Sequence, residues 1–192
     1  TVAAYGGRWK DLLIGLVVIP FFTSFLIRTI AWTSILGNRS AVTGFVRTFL
    51  GDGFNFTGTW YGVVGGLTYN FLPFMILPIY VSLEKIDIRL VDAARDLYDV
   101  PANAFRKIIL PLSLPGVFAG TLLTFIPAAG DYINAALLGN VNTGMIGSQI
   151  DKLFLSESNY PEAAALSFIF MAIITVGVLI YAKVLGTEEL AA

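Results

Sequence analysis

The chain has 192 residues, 56% of them apolar and only 13% charged, with a net charge of −1 and a mean hydropathy of +0.77. Ordinary globular chains are roughly 45–50% apolar and about 25% charged. The composition therefore excludes a solvated soluble domain and, with no basic stripe, a nucleic-acid binder. The absence of Cys and His removes disulfide scaffolds, Cys-ligated metal sites and His-based nucleophilic chemistry. What remains is an all-α polytopic integral membrane protein, a helical bundle with no metal site and no enzyme activity expected.

Crossing a hydrocarbon core takes about 20 apolar residues. Four segments qualify: 12–32, 61–83, 114–133 and 163–185, read here as one transmembrane domain over 1–192. A shorter apolar stretch, 135–138, either extends the third helix or opens a re-entrant turn before the Gly/Asn-rich run 139–147. Pro20, Pro73, Pro78 and Pro127 fall inside predicted spans, where neighbouring helices or cavity water must satisfy the freed carbonyls. The pairs Gly62/Gly66 and Gly116/Gly120 permit close helix contact. With the N-terminus in the cytoplasm, Arg8, Lys10, Lys85, Arg89, Arg95, Arg106, Lys107 and Lys183 lie inside. Arg28, Arg39, Arg47 and Lys152 lie outside. This is the positive-inside bias.

The segment 84–111 is charged where the rest of the chain is not. Asp87 is placed to cap a helix N-terminus. From there Ile86, Leu90, Ala93, Ala94 and Leu97 recur at helical spacing, with Arg89, Asp92, Arg95, Asp96 and Asp99 on the remaining surface. Pro101 forces Val100 out of helical geometry and can open a second short helix, which carries Phe105, Ile108 and Ile109 and runs to Pro111. Two short amphipathic helices in one cytoplasmic loop suit either the bilayer surface or a groove on a cytoplasmic partner. The four Asp of 87–99 disfavour an anionic leaflet, and the small Ala93 and Ala94 favour close docking.

The run Asp92-Ala93-Ala94-Arg95-Asp96-Leu97, followed by Ile108, Leu110 and Pro111, resembles the EAA motif of ABC-importer permeases. Ala93-Ala94 and the terminal I-x-L-P are in register. The motif's Glu is Asp92 here, and its Gly is Tyr98, which implies a different turn between the two helices. The resemblance extends to Ile19-Pro20-Phe21-Phe22-Thr23-Ser24-Phe25-Leu26-Ile27-Arg28, Leu72-Pro73-Phe74-Met75-Ile76-Leu77-Pro78, Leu83-Glu84-Lys85-Ile86-Asp87 and Met145-Ile146-Gly147. These look like the spermidine/putrescine branch of type I permeases, and within it the first of the two permease subunits.

The resemblance covers 8–186. Six spans are usual in this family, so it implies that two N-terminal helices lie outside this sequence. It further implies a bacterial cytoplasmic (inner) membrane location and a pathway shared with a second permease subunit. Two cytoplasmic ATPase subunits would bind ATP and Mg, and an extracytoplasmic solute-binding protein would deliver the solute. Arg89, Asp92, Ala93, Ala94, Arg95, Asp96, Leu97 and Tyr98 would then couple to the ATPase. No G-x-x-x-x-G-K-[ST] run occurs, so this chain is expected to hold no cofactor. Related branches carry other solutes, such as amino acids or metal complexes. A secondary transporter would show inverted repeats, and the sequence displays none.

An ionisable residue at a span edge is a candidate for the solute path. Asp131 stands near the outer end of the third span. Thr121, Thr124, Ala128 and Asp131 are spaced to share one helix face, a polar stripe suited to a cation. Tyr132 adds a cation–π surface and Asn134 an acceptor. Tyr69 and Asn70, midway along the second span, are the other candidates. Asp131 reads equally well as a helix-end acid or as a partner of Arg28, and Asn70 as an interhelical hydrogen-bonding residue.

Overall fold

The computed structural model describes residues 9–87, 89–90, 92–93 and 101–185. Ala94, Arg95, Asp96, Leu97 and Tyr98 of the predicted coupling segment lie outside the described residues. Among the described residues every regular element is helical. We number them α1 (Lys10–Val18), α2 (Phe25–Ile35), α3 (Ala41–Leu50), α4 (Trp60–Glu84), α5 (Leu110–Ala129), α6 (Ile133–Leu138), α7 (Ile146–Asp151) and α8 (Tyr160–Leu185).

Among the described residues three helices are long and apolar enough to cross a membrane: Trp60–Glu84, Ala102–Ala129 and Tyr160–Lys183. Helix α8 exposes Phe168, Ile169, Met171, Ile173, Val176, Leu179 and Ile180 by more than half each. Such a surface is stable only against lipid or further helices, and its backbone polar groups are satisfied within the helix.

The first predicted span is not one helix. A 3₁₀ turn, Ile19–Phe22, interrupts it, and α2 restarts after Ser24, whose ψ of 136° is not helical. Pro20 is the physical cause: it has no N–H for the carbonyl four residues back, and its ring crowds that carbonyl. The start of the third span differs as well. The helix opening at Pro101 does not stop at Pro111 but continues through a π-helical segment, Phe105–Ile109, into α5. Pro111 cannot donate to Lys107. The wider turn, in which Leu110 N–H reaches Phe105 O, absorbs that missing bond without ending the helix. The third span also ends early, at Ala129.

The chain forms two compact units. The first comprises Thr1–Pro20, Leu72–Thr124 and Ile180–Ala192. In it α5 lies close to the second half of α4. A Cβ on Gly116 would stand 2.5 Å from Pro78 O and 2.6 Å from Ser82 Oγ. One on Gly120 would stand 2.9 Å from Met75 Sδ. The predicted small-residue pair is therefore a packing seam. Phe118 and Tyr181 stack with centroids 4.3 Å apart. Lys10 Nζ donates to Glu84 Oε1 at 2.5 Å and lies 5.4 Å from the Tyr80 ring, tying α1 to the end of α4. Beyond it Asp87 caps as expected, its Oδ1 accepting from Arg89 N–H at 2.9 Å. Arg89, Leu90, Asp92 and Ala93 that follow are helical and exposed.

The second unit comprises Phe21–Phe71 and Phe125–Leu179. Its core is Leu36, Val63 and Leu138, with Trp32, Phe56, Leu67 and Met145 packed around them. Gly62 and Gly66 make the close approach possible. A Cβ on Gly62 would collide with Phe56 O, and one on Gly66 would meet the Leu138 side chain and stand 2.6 Å from Asn134 Oδ1. Helix α3 is an element that apolar length does not announce. Ser40 Oγ accepts from Thr43 N–H at 3.1 Å and caps it. Arg47 in its last turn donates to Phe54 O at 2.8 Å, Asn38 O at 3.0 Å and Asn55 Oδ1, which organises the loop leading to α4.

Candidate functional site: a buried polar chain

Four polar residues from α2, α4 and the stretch 131–134 of the second unit meet inside it. Thr29 comes from α2, Asn70 from the middle of α4, Asp131 from the turn after α5, and Asn134 from the first turn of α6. Exposures are 0% for Thr29 and Asn134, 1% for Asn70 and 8% for Asp131. Burial of this order demands partners. Asn70 Nδ2 donates to Thr29 Oγ1 at 3.1 Å and to Asn134 Oδ1 at 3.2 Å. Thr29 Oγ1 in turn donates to Phe25 O at 3.0 Å within its own helix. Asn134 Nδ2 donates to Asp131 Oδ2 at 3.0 Å, and Asn134 N–H donates to Asp131 Oδ1 at 2.7 Å. One acceptor, Asn70 Oδ1, is buried without a hydrogen-bond partner among the described residues.

The chain of bonds has a local cause at one end. Helix α5 stops at Ala129, Gly130 follows, and α6 begins two residues after Asp131. Helix α6 has unpaired N–H groups in its first turn, as every helix does. Asp131 supplies the acceptor in the geometry of a capping carboxylate. A negative group at a helix N-terminus is also favoured by the helix dipole.

Of the candidates from the sequence, Asn70, Asp131 and Asn134 come together. The shared stripe does not form, because Asp131 lies beyond the end of α5 rather than on the face of Thr121, Thr124 and Ala128. Thr121 and Thr124 belong to the first unit. Thr121 Oγ1 donates to Val117 O at 2.7 Å, a bond back into its own helix. Thr124 Oγ1 is buried without a hydrogen bond among the described residues. Tyr69 packs edge-on against Trp32 with centroids 5.0 Å apart, and Tyr132 is 44% exposed. Arg28 places its guanidinium 4.8 Å from the Phe21 ring centroid. Thr29 was not anticipated. A lone Thr on an apolar helix gives no signal until the helix facing it is known.

Residues 1–185 match the family model described as "Binding-protein-dependent transport system inner membrane component". The chain belongs to this family of membrane transport components. It is 38% identical over 180 residues to the spermidine/putrescine transport system permease protein PotB of Haemophilus influenzae, covering 91% of this chain and 62% of that one. To the protein of the same name from Escherichia coli K12 it is 35% identical over 186 residues, 90% of this chain and 63% of that one. It is 30% identical over 196 residues to the inner membrane ABC transporter permease protein YdcU of Escherichia coli K12, covering 95% and 62%. The chain thus spans less than two-thirds of the length of these relatives.

Proposed function

We propose that this chain is a permease subunit of an ATP-driven inner-membrane importer that carries polyamines such as spermidine and putrescine. The observation that carries this reading is identity of 35–38% across nine-tenths of the chain to proteins named as spermidine/putrescine permeases. In this reading the chain forms half of the translocation pathway with a second permease. It binds no nucleotide: two cytoplasmic ATPase subunits hold ATP and Mg, and an extracytoplasmic binding protein delivers the solute. An interior lined by amide and carboxylate groups supports a cationic cargo, because ammonium groups leaving water need acceptors and counter-charge. Asp131, Asn70 and Asn134 are the proposed pathway residues at that point, with Tyr69, Tyr132, Thr121 and Thr124 as further lining candidates.

Coupling is assigned to the segment that begins at the Asp87 cap. Arg89, Asp92 and Ala93 are exposed on helical backbone, as a docking helix requires. Ala94, Arg95, Asp96, Leu97 and Tyr98 complete the segment in sequence. Closure of the ATPase would move this helix as a rigid body and shift the spans. The test is uptake of labelled spermidine and putrescine by the assembled transporter, with Ala93→Glu as the probe. The expected result is saturable polyamine uptake by the wild type, and in the variant ATP hydrolysis without uptake at unchanged membrane abundance. Wild-type transport of an amino acid or metal complex and no polyamine would move the chain to another solute branch. Wild-type uptake rates in Ala93→Glu would refute the docking role.

A further inference from the structure

The second unit carries, apart from the polar chain, a hollow of about 460 Å³ lined mainly by apolar groups, with Tyr132, Phe154 and Phe170 among its lining residues. Its polar contribution includes Asp151 and Ser167. We propose that this hollow is a binding site for an alkylammonium group, with Asp151 as counter-ion and the three rings as the cation–π and methylene-packing wall. The proposal rests on the polyamine reading for the identity of the ligand, but on the hollow's own chemistry for its class.

Three features support it. The first is the lining itself. Aromatic faces attract cations through their quadrupole, and such cages recognise alkylated ammonium groups. A carboxylate beside them selects a cation over a neutral apolar solute. The second is the state of Asp151. It is half-buried at the C-terminal end of α7 and makes no side-chain hydrogen bond or ion pair among the described residues. The adjacent cation does not serve it, because Lys152 Nζ is paired with Glu157 Oε1 at 3.1 Å. Asp151 lies inside a helical run that continues through Lys152–Ser156, so its position is not accounted for by helix capping.

The third feature is how the wall is built. Residues Lys152–Ser156 form a π-helical segment, a widened turn frequently found at functional sites. Phe154 in that segment is held edge-on by Tyr160 at 5.0 Å. Ser158, just beyond, has a φ of +52°, which is uncommon for a residue with a side chain. Asn159 N–H bonds to Leu153 O at 2.9 Å across this turn. Gly147 packs so closely on Gly130 that a Cβ would lie 2.8 Å from the Gly130 carbonyl carbon, and both glycines line the hollow.

The experiment uses the assembled transporter in lipid nanodiscs without the solute-binding protein. It is titrated with spermidine and putrescine by calorimetry, with uptake in proteoliposomes measured in parallel. Asp151→Asn and Phe154→Ala should each weaken polyamine binding at least tenfold and lower maximal uptake. Lys152→Gln, beside the hollow, should bind as wild type, and Asp151→Glu should recover most of the affinity lost in Asp151→Asn. If the wild type takes up polyamine but Asp151→Asn and Phe154→Ala bind it equally well, the site is refuted while the polyamine reading stands. If the wild type neither binds nor takes up polyamines, that reading is refuted and the site assignment falls with it.

Discussion

Asn134 is the hinge of the buried polar chain, and replacing it by Leu isolates what that chain contributes. The substitution keeps the number and branching of side-chain heavy atoms, which Leu shares with Asn. It leaves the backbone N–H of residue 134 on Asp131 Oδ1, so the first turn of α6 stays capped. It removes the side-chain bond to Asp131 Oδ2 and one of the two acceptors of Asn70 Nδ2, which keeps Thr29 Oγ1, and both residues are buried. In a soluble interior each such loss costs roughly 1–3 kcal/mol. Interhelical hydrogen bonds in bilayers are worth less, about 0.6 kcal/mol on average and up to about 1.7, because unfolded helices in lipid find other partners. The expected loss is therefore about 1–3 kcal/mol in total. Unfolding in mixed micelles, followed by tryptophan fluorescence, is a suitable assay, because Trp32 rests on Tyr69 beside Asn70. An Asn70→Ala/Asn134→Ala double-mutant cycle should show a coupling above ~0.5 kcal/mol. An Asn134→Leu chain as stable as wild type, together with strict additivity in the cycle, would refute the view that this network holds α2, α4 and α6 together.

Gly116→Val should destabilise the first unit by about 1–3 kcal/mol through overpacking, since its Cβ would meet the Pro78 carbonyl and Ser82. Gly177→Ala in α8, where a Cβ meets nothing within 4 Å, should be neutral or stabilising in the same unfolding assay. Asp131→Asn keeps an acceptor for Asn134 N–H but sets an amide NH2 against Asn134 Nδ2, so the chain should still fold with a loss of about 0.6–1.7 kcal/mol. Uptake of a cationic solute should nevertheless fall several-fold, and unchanged uptake would leave Asp131 a purely structural cap.

Much of this architecture follows from one-dimensional properties. The length of an apolar run decides whether a segment can cross a membrane, so the helices at Trp60–Glu84 and Tyr160–Leu185 are legible without coordinates. Gly116 and Gly120 are legible as a contact because the feature that matters, a missing Cβ, is intrinsic to the residue. The Asp87 cap depends only on neighbours two and three positions away. Pro20 was legible as an irregularity, although whether it would kink or break the helix was not.

What escaped the sequence depends on which segments face one another. Helix α3 is too short and too mixed to register as a span, and its identity rests on the Ser40 cap and the three acceptors of Arg47. The polar stripe failed because it assumed a helix unbroken to residue 133, whereas Gly130 and the Asp131 cap end α5 and start α6. Asn70 and Asn134 are 64 residues apart, and Asn70 and Thr29 are 41 apart. Each alone is an ordinary polar residue in an apolar helix. The amino-acid sequence by itself determined a membrane helical chain with one charged segment, because hydropathy and local spacing are properties of the chain alone. Only the tertiary structure decided that Thr29, Asn70, Asn134 and Asp131 form one buried network, because a hydrogen bond exists only once both partners leave water together.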